Sequence, residues 1–296
     1  MPTNTHSRTE VPKMYKLFIG SKFTRTESER YITVKSTDDS LICNVSRASK
    51  KDLRNSVQSA RSGFNSWSSK TAYERAQILY RMAEMLEGRK EQFAAEIKLS
   101  TGASKRVAMR EVTKSIDRII FYAGFADKWM QLSGSVNPVQ SGYFNFSIPE
   151  PTGVVGIILP DKPSFIPLVS RICAVITSGN SCVIIASERY PLSSLSFAEV
   201  IQTGDIPSGV VNILTGYRSE LVPHLASHMD VNAVDMAVEN FQLRKSVQEC
   251  CSINVKRFIF SALPDTKDWF DDSLCEDLRH ISNFTEIKTV WHTMGF

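Results

Sequence analysis

Cysteine and histidine are too scarce and too scattered in this sequence to suggest a metal centre or a disulfide framework. The 296 residues contain six cysteines and five histidines, and no pair of cysteines has the two-residue separation typical of zinc sites and redox-active dithiols. Small proteins held together by disulfides carry far more cysteine for their length. We therefore expect free thiols and no bound metal. The cysteines are Cys43, Cys173, Cys182, Cys250, Cys251 and Cys275.

Long apolar runs are missing as well. No stretch approaches the ~20 apolar residues that cross a bilayer, and the polar start "MPTNTHSRTEVPKMYKL" lacks the apolar core of a secretory signal. These absences predict a cytoplasmic protein without a membrane span. The net charge of +4 comes from dispersed lysine and arginine, so we expect no nucleic-acid partner.

The chain does contain enough apolar residues, 42% of the total, to bury a large core. Residues 1–14 are polar and predict a flexible tail, after which "YKLFIG" (15–20) predicts a strand. From Ser69 to Gly88, apolar side chains recur every three or four residues, which predicts an amphipathic helix. A similar pattern over 105–132 predicts another helix, so the first third of the chain is expected to form a helical layer.

The second half of the chain repeats one unit, a short apolar run followed by a helical segment. Residues 143–148 first alternate between apolar and polar, which predicts a half-exposed strand. Five continuous apolar runs follow, as a parallel sheet buried on both faces requires. The pattern predicts an α/β protein with a doubly wound, Rossmann-like parallel sheet. The runs are "VVGIILP" (154–160), "NSCVIIA" (180–186), "GVVNILTG" (209–216), "VNAVDMAV" (231–238) and "VKRFIFS" (255–261).

Four phrases, "PEPTGVVGIILP", "GNSCVII", "PLSSL" and "DIPSGVVNILTG", give the chain a family resemblance. In this order and spacing they resemble the cofactor-binding half of aldehyde dehydrogenases, and the likeness extends over residues 15 to about 260. The ending "FTEIKTVWHTMGF" resembles the carboxyl-terminal strand of that family's oligomerisation domain. Only residues 261–283 lie where the family has its catalytic domain. The chain is thus similar to an aldehyde dehydrogenase without that domain, as in the degenerate second copy of the fold in aldehyde dehydrogenase family 16.

The resemblance also implies a division of the chain. Residues 15–133 and 151–262 are expected to form the Rossmann-like domain with its helical layer. Residues 134–150 and 280–296 are expected to form a small β oligomerisation element.

The adjacent cysteines Cys250 and Cys251 raise the question of a catalytic thiol. The resemblance places the family's nucleophile after the strand "VKRFIFS", whereas both cysteines precede it. The family's oxyanion-hole asparagine aligns with Lys162, and no glutamate follows "VKRFIFSALPD" to act as its general base. We therefore predict that both cysteines are structural and that the chain has no catalytic residue.

The residues that would hold a dinucleotide are also replaced. The family's glycine turn aligns with Val238–Leu243, which contains no glycine, and Glu239 would put a negative charge where phosphate should meet a helix start. The family's ribose-binding lysine aligns with Ile185. Glu188 alone remains as a vestigial cofactor-binding candidate, and a solvated or helix-capping role near "RYPLSSL" is the alternative for it. We expect no cofactor.

These residues favour a non-catalytic pseudoenzyme that acts as an assembly or scaffold domain. Its terminal strand, 284–292, is expected to pair with 143–148, and the exposed sheet edge would favour a homodimer or docking onto a catalytic aldehyde dehydrogenase domain. Two alternatives are an NAD(P)-dependent aldehyde dehydrogenase and a nucleotide-sensing module without chemistry.

Overall fold

Five short strands open the chain and contribute to two sheets. They are β1 (Met14–Tyr15), β2 (Leu17–Ile19), β3 (Lys22–Thr24), β4 (Tyr31–Lys35) and β5 (Leu41–Ser46). Strands β1, β5 and β4 form a small sheet in that order, while β2 and β3 form a hairpin that joins the main sheet. The computed structural model describes residues 11–140 and 142–294.

The sequence predicts only part of this region. The predicted strand 15–20 is confirmed in β2 and the end of β1, but β4 and β5 are not predicted because charged and turn-forming residues interrupt their apolar pattern. Residues 1–10 of the predicted tail lie outside the described residues, and β1 begins at the last residue of that tail, Met14.

Five helices follow the opening strands. They are α1 (Lys50–Ser68), α2 (Ala72–Glu87), α3 (Lys90–Thr101), α4 (Lys105–Ala126) and α5 (Trp129–Ser133). The predicted helix that ends near Gly88 is confirmed as α2, whose N-cap Thr71 forms a capping box with Glu74. The prediction over 105–132 is confirmed as α4 and most of α5.

Helix α1 is not predicted by the sequence, because glycine and several serines interrupt its apolar stripe. Its start is fixed by a capping box between Ser49 and Asp52. Gly63 is needed for packing, since a Cβ atom there would lie 2.4 Å from the carbonyl carbon of Gly209. Tertiary contact therefore outweighs weak intrinsic helix preference in α1.

The main sheet has seven strands and confirms the predicted doubly wound architecture. Two strands of another sheet, β6 (Ser135–Asn137) and β7 (Tyr143–Pro151), come directly before the repeating units in the chain. The alternating strands and helices are then β8 (Val154–Ile158), α6 (Ile166–Ile176), β9 (Ser181–Ile185), α7 (Leu192–Thr203), β10 (Val211–Leu214), α8 (Arg218–Ser227), β11 (Ala233–Met236), α9 (Phe241–Ile253) and β12 (Arg257–Phe260). The order is β12-β11-β8-β9-β10-β2-β3. The five predicted strands are parallel, and the β2–β3 hairpin adds an antiparallel edge. Strands β8 to β11 are buried throughout, as their continuous apolar runs predict.

After β12 the chain returns to β7, the strand that comes before β8. A 3₁₀ turn (Asp268–Phe270), α10 (Asp272–Cys275) and α11 (Arg279–Ser282) lead into β13 (Thr285–Thr293). The predicted terminal strand and its predicted partner are confirmed, because β13 pairs antiparallel with β7 along its whole length. With β6 they form a separate three-stranded sheet in the order β13-β7-β6, which we call the wing.

Residues 261–284, which we call the linker, are an ordered part of the core. Trp269, Cys275, Ile281 and Phe284 are buried, and the Tyr122 hydroxyl donates to the carbonyl of Cys275 at 3.0 Å. Within the described residues no helix is long and apolar enough to cross a membrane.

The wing and the linker are expected to differ in their contribution to stability. Phe284 is fully buried whereas Trp291, seven residues later, is 60% exposed. Phe284→Ala should lower the free energy of unfolding by about 3–5 kcal/mol through cavity formation. The matched change Trp291→Ala should lower it by about 1 kcal/mol or less. Urea unfolding followed by circular dichroism measures both, and a loss of about 1 kcal/mol or less for Phe284→Ala would contradict the assignment of the linker to the core.

Candidate functional site

The two adjacent cysteines lie in the last turn of α9, on opposite sides of the boundary between core and solvent. Cys251 is buried beside Val247 in the core, and Cys250 is half-buried. Burial raises the pKa of Cys251 to about 11, and the carboxyl end of a helix disfavours a negative thiolate. The location of Cys251 therefore does not supply the lowered pKa that a nucleophilic thiol needs. Burial likewise raises the pKa of Cys43 and of Cys275 to about 11.

The carboxyl ends of the parallel strands form the edge at which doubly wound sheets bind ligands. Asp161, just after β8, receives two hydrogen bonds from the guanidinium of Arg218, the first residue of α8, at 2.7 and 2.9 Å. The same guanidinium donates to the carbonyl of Leu159 at 2.8 Å, and Ser187 donates to Asp161 at 2.9 Å. Burial opposes ionisation of Asp161, but Arg218 outweighs it and lowers the pKa of Asp161 to about 2. The network joins the ends of β8, β9 and β10.

Glu188, the vestigial cofactor candidate, belongs to this network. Its carboxylate accepts a hydrogen bond from the backbone N–H of Arg218 at 2.9 Å. It therefore caps α8, and not the "RYPLSSL" helix that the sequence analysis considered. Lys162, at the position of the family's oxyanion-hole asparagine, is exposed, and its ammonium lies 5.4 Å from the ring centre of Tyr190.

The helix starts at this edge already have acceptors from the protein itself. At α6, the carboxylate of Glu111 accepts from the backbone N–H groups of Phe165 and Ile166, at 2.6 and 3.2 Å. Burial raises the pKa of Glu111, against the effect of these hydrogen bonds. At α9, the side chain of Asn240 accepts from the N–H of Leu243 at 2.9 Å. Three N–H groups at these helix starts are thus bonded within the protein, where a phosphate would otherwise bind.

A tryptophan from the linker lies at the point where the strand order reverses, between β8 and β11. The two strands are joined at their carboxyl ends by a hydrogen bond from the N–H of Ala237 to the carbonyl of Ile158 at 2.9 Å. Trp269 is buried in a cluster with Ala237 and with Ile166 at the start of α6. This reversal point is where such sheets form a ligand-binding crevice, and here it is filled by the indole of Trp269.

A buried charge pair lies behind this crevice. Arg171 of α6 donates to Asp235 of β11 at 2.5 Å, and both side chains are almost fully buried. Another nitrogen of Arg171 lies 3.2 Å from Nδ1 of His280 in the linker. The other ring nitrogen of His280 is 3.0 Å from the carbonyl of Leu274. The linker thus completes the environment of a buried arginine.

Sequence reasoning missed the residues that occupy the edge, although one signal for them exists. Glu111 and Arg118 fall on the apolar stripe of α4 that includes Val112 and Ile119, where a charged side chain must find a buried partner. Asp161, Arg218 and Trp269 give no comparable local signal. Among the described residues, no three histidine, cysteine, aspartate or glutamate side chains are grouped to hold a metal ion.

Comparison with known proteins supports the resemblance. The model of the aldehyde dehydrogenase family matches residues 23–261. Cytosolic 10-formyltetrahydrofolate dehydrogenase of Mus musculus is 33% identical over 251 residues, which cover 82% of this chain and 28% of that protein. Omega-crystallin of Enteroctopus dofleini is 28% identical over 255 residues, covering 85% of this chain and 51% of that protein.

Solved structures give the same result. A putative aldehyde dehydrogenase from Burkholderia cenocepacia has a TM-score of 0.79 at 30% identity, covering 84% of this chain and 50% of that one. The NAD+ complex of aldehyde dehydrogenase from Bacillus cereus has a TM-score of 0.81 at 25% identity, covering 84% and 51%. The predicted fold class is confirmed, and the chain spans about half the length of these solved relatives.

The contact between Arg171 and His280 predicts a dependence of stability on pH. Burial and the charge of Arg171 lower the pKa of His280 below its ordinary value of 6.5. The unfolded chain therefore binds this proton more readily, so the stabilising effect of neutral His280 is complete above about pH 6.5 and is lost as pH falls below it.

His280→Gln should flatten the decline in the free energy of unfolding between about pH 7.5 and 5.5, as measured by urea unfolding at each pH. His292→Gln, on the exposed face of β13, is the control and should leave the decline unchanged. His228, whose pKa is also lowered by burial, accounts for a residual slope. An unaltered decline in His280→Gln would contradict the assignment.

Proposed function

We propose that this chain, which belongs to the aldehyde dehydrogenase family, is a non-catalytic member of it that acts as an assembly or scaffold domain. The observation that carries this proposal is the position of Trp269 in the crevice between β8 and β11. A cofactor would have to displace a buried indole together with the linker that holds it. A cytoplasmic location is part of the proposal and is supported by the cytosolic relative.

The residues around the crevice do not fit a dinucleotide. A pyrophosphate needs glycines that allow close approach and free N–H groups at a helix start. The chain has no glycine between Gly216 and Gly295, Glu239 adds negative charge before α9, and Glu111 occupies the start of α6. The missing glycines hinder the close approach of a pyrophosphate, and the two glutamates repel its negative charge. Together these features support a protein that holds no cofactor.

The positions of the adjacent cysteines support the same proposal. Cys251 has a pKa raised by burial, and Cys250 lies beside it at the end of α9, before β12, whereas the family's nucleophile is expected after that strand. An NAD(P)-dependent dehydrogenase and a nucleotide-sensing module are the alternatives, and both require a nucleotide phosphate, which the edge residues oppose.

The wing supports a role in assembly. Its outer strands β13 and β6 have no further strand beside them within the described residues, so their outer backbone groups are available for pairing. Apolar side chains are exposed on both faces, since Trp291 is 60% and Val136 68% exposed. A homodimer, or docking onto a catalytic aldehyde dehydrogenase domain, would cover these groups.

Binding of NAD tests the non-catalytic part of the proposal. Isothermal titration calorimetry with NAD and NADP should give no binding in the micromolar range, and the thermal midpoint should not rise in ~1 mM cofactor, because a ligand at ~100 Kd adds about 2.7 kcal/mol to stability. An active full-length aldehyde dehydrogenase is the positive control. Micromolar affinity would favour the sensor, and aldehyde oxidation abolished by Cys250→Ser or Cys251→Ser would favour the enzyme.

The oligomeric state tests the assembly part. Ile287→Lys combined with Trp291→Lys should shift the protein from dimer to monomer in sedimentation, because two ammonium groups would be desolvated in the interface. Tyr31→Lys is a matched control, since Tyr31 lies on strand β4 of another sheet and is 59% exposed. A dimer that survives the double change with unaltered affinity would place the interface elsewhere.

A further inference from the structure

A groove rich in positive charge runs between the start of α1 and helix α8. It consists of two depressions, of about 490 and 240 Å³, that share Lys50 and His224. Five cationic side chains line the groove, Arg30, Arg47, Lys50, Lys51 and Arg54, together with His224, His228 and the acidic Glu220. The fold therefore concentrates positive charges that the sequence presents as dispersed.

Most of this charge has no internal partner. Arg47 pairs with Glu220 and Lys51 with Glu27. Over residues 11–140 and 142–294, Lys50, Arg54 and Arg30 form no ion pair. Like charges held close together repel one another, so the groove carries a positive potential that an anionic partner would relieve.

The stability of α1 does not account for these charges. Lys50 and Lys51 are the first two residues of α1, where the helix dipole disfavours positive charge. The capping needs of that end are met by Ser49 and Asp52. The groove shares no lining residue with the cluster around Trp269, so it is separate from the crevice at that tryptophan.

We propose that this groove binds an acidic peptide segment of a partner protein. Its apolar floor is made by the aliphatic side chains Leu53 and Leu221. Among the described residues, no phenylalanine, tyrosine or tryptophan lines either depression as a stacking platform for nucleic-acid bases. Lys50 and Arg54 are one helical turn apart, about 6 Å along the axis. Alternate residues of an extended peptide are spaced by about 6.6 Å, so carboxylates at alternate positions match these two cations.

The test measures fluorescence anisotropy of a labelled peptide with glutamate at alternate positions, Glu-Ser-Glu-Ser-Glu-Ser-Glu, added to the intact protein at low salt. The glutamine version of the peptide is the first control. We expect saturable binding of the glutamate peptide that weakens as salt rises and falls at least about tenfold in the double variant Lys50→Glu with Arg54→Glu. Lys245→Glu, an exposed lysine of α9, is the matched protein control and should bind as the unaltered protein does.

Several results would overturn the proposal. They are an absence of saturable binding, equal binding of the glutamine peptide, or equal loss of binding in Lys245→Glu. Tighter binding of an oligothymidylate, lost in the same double variant, would assign the groove to nucleic acid instead. Circular dichroism of each variant, which changes only exposed side chains, establishes that the loss of binding does not come from unfolding.

Discussion

The burial of two arginines is the constraint on which the arrangement of this chain depends. Arg118 of α4 and Arg171 of α6 are almost completely inaccessible, and a buried charge without a partner destabilises a fold by several kcal/mol. Asp235 of the sheet supplies one partner, while Asp272 and Glu276 of the linker supply the others, at 3.0 and 2.6 Å from Arg118. The helical layer, the sheet and the linker are therefore held by the same charges.

This dependence explains why the linker closes the crevice. A connection that only joined β12 to β13 could follow the surface, as most connecting segments do. Because its acids must reach Arg118, the linker lies across α4 and α6, and Trp269 is carried onto the carboxyl ends of β8 and β11. The contacts that neutralise the buried arginines are thus the same contacts that hold the linker, and with it Trp269, at this edge of the sheet.

The sequence predicts those parts of the structure that have a local pattern. Continuous apolar runs identify β8 to β12, and the alternation at 143–148 identifies β7, because side-chain periodicity follows directly from strand burial. Helix α1 escapes prediction since its packing on the turn at Gly209 is tertiary. The capping of α8 by Glu188 and the pairing of Asp161 with Arg218, 57 residues away, have no local signature at all. Of the candidate site, the sequence reveals the absence of glycine at 238–243. It does not reveal that Trp269 lies at the crevice.

The wing combines a polar row that fixes its pairing with apolar groups that the pairing leaves exposed. The amide of Asn137 donates to Asn145 at 2.6 Å and to Ser147 at 2.9 Å, and Ser147 lies 2.9 Å from the hydroxyl of Thr289. A slip of β13 by one residue would break this row and turn Trp291 to the opposite face. The polar row therefore specifies the register of the strands while little apolar surface is buried. The hydrophobic side chains of the same strands stay exposed and can contact a second surface. Internal pairing of the wing leaves these side chains exposed, and they are the groups that the proposed assembly role would cover.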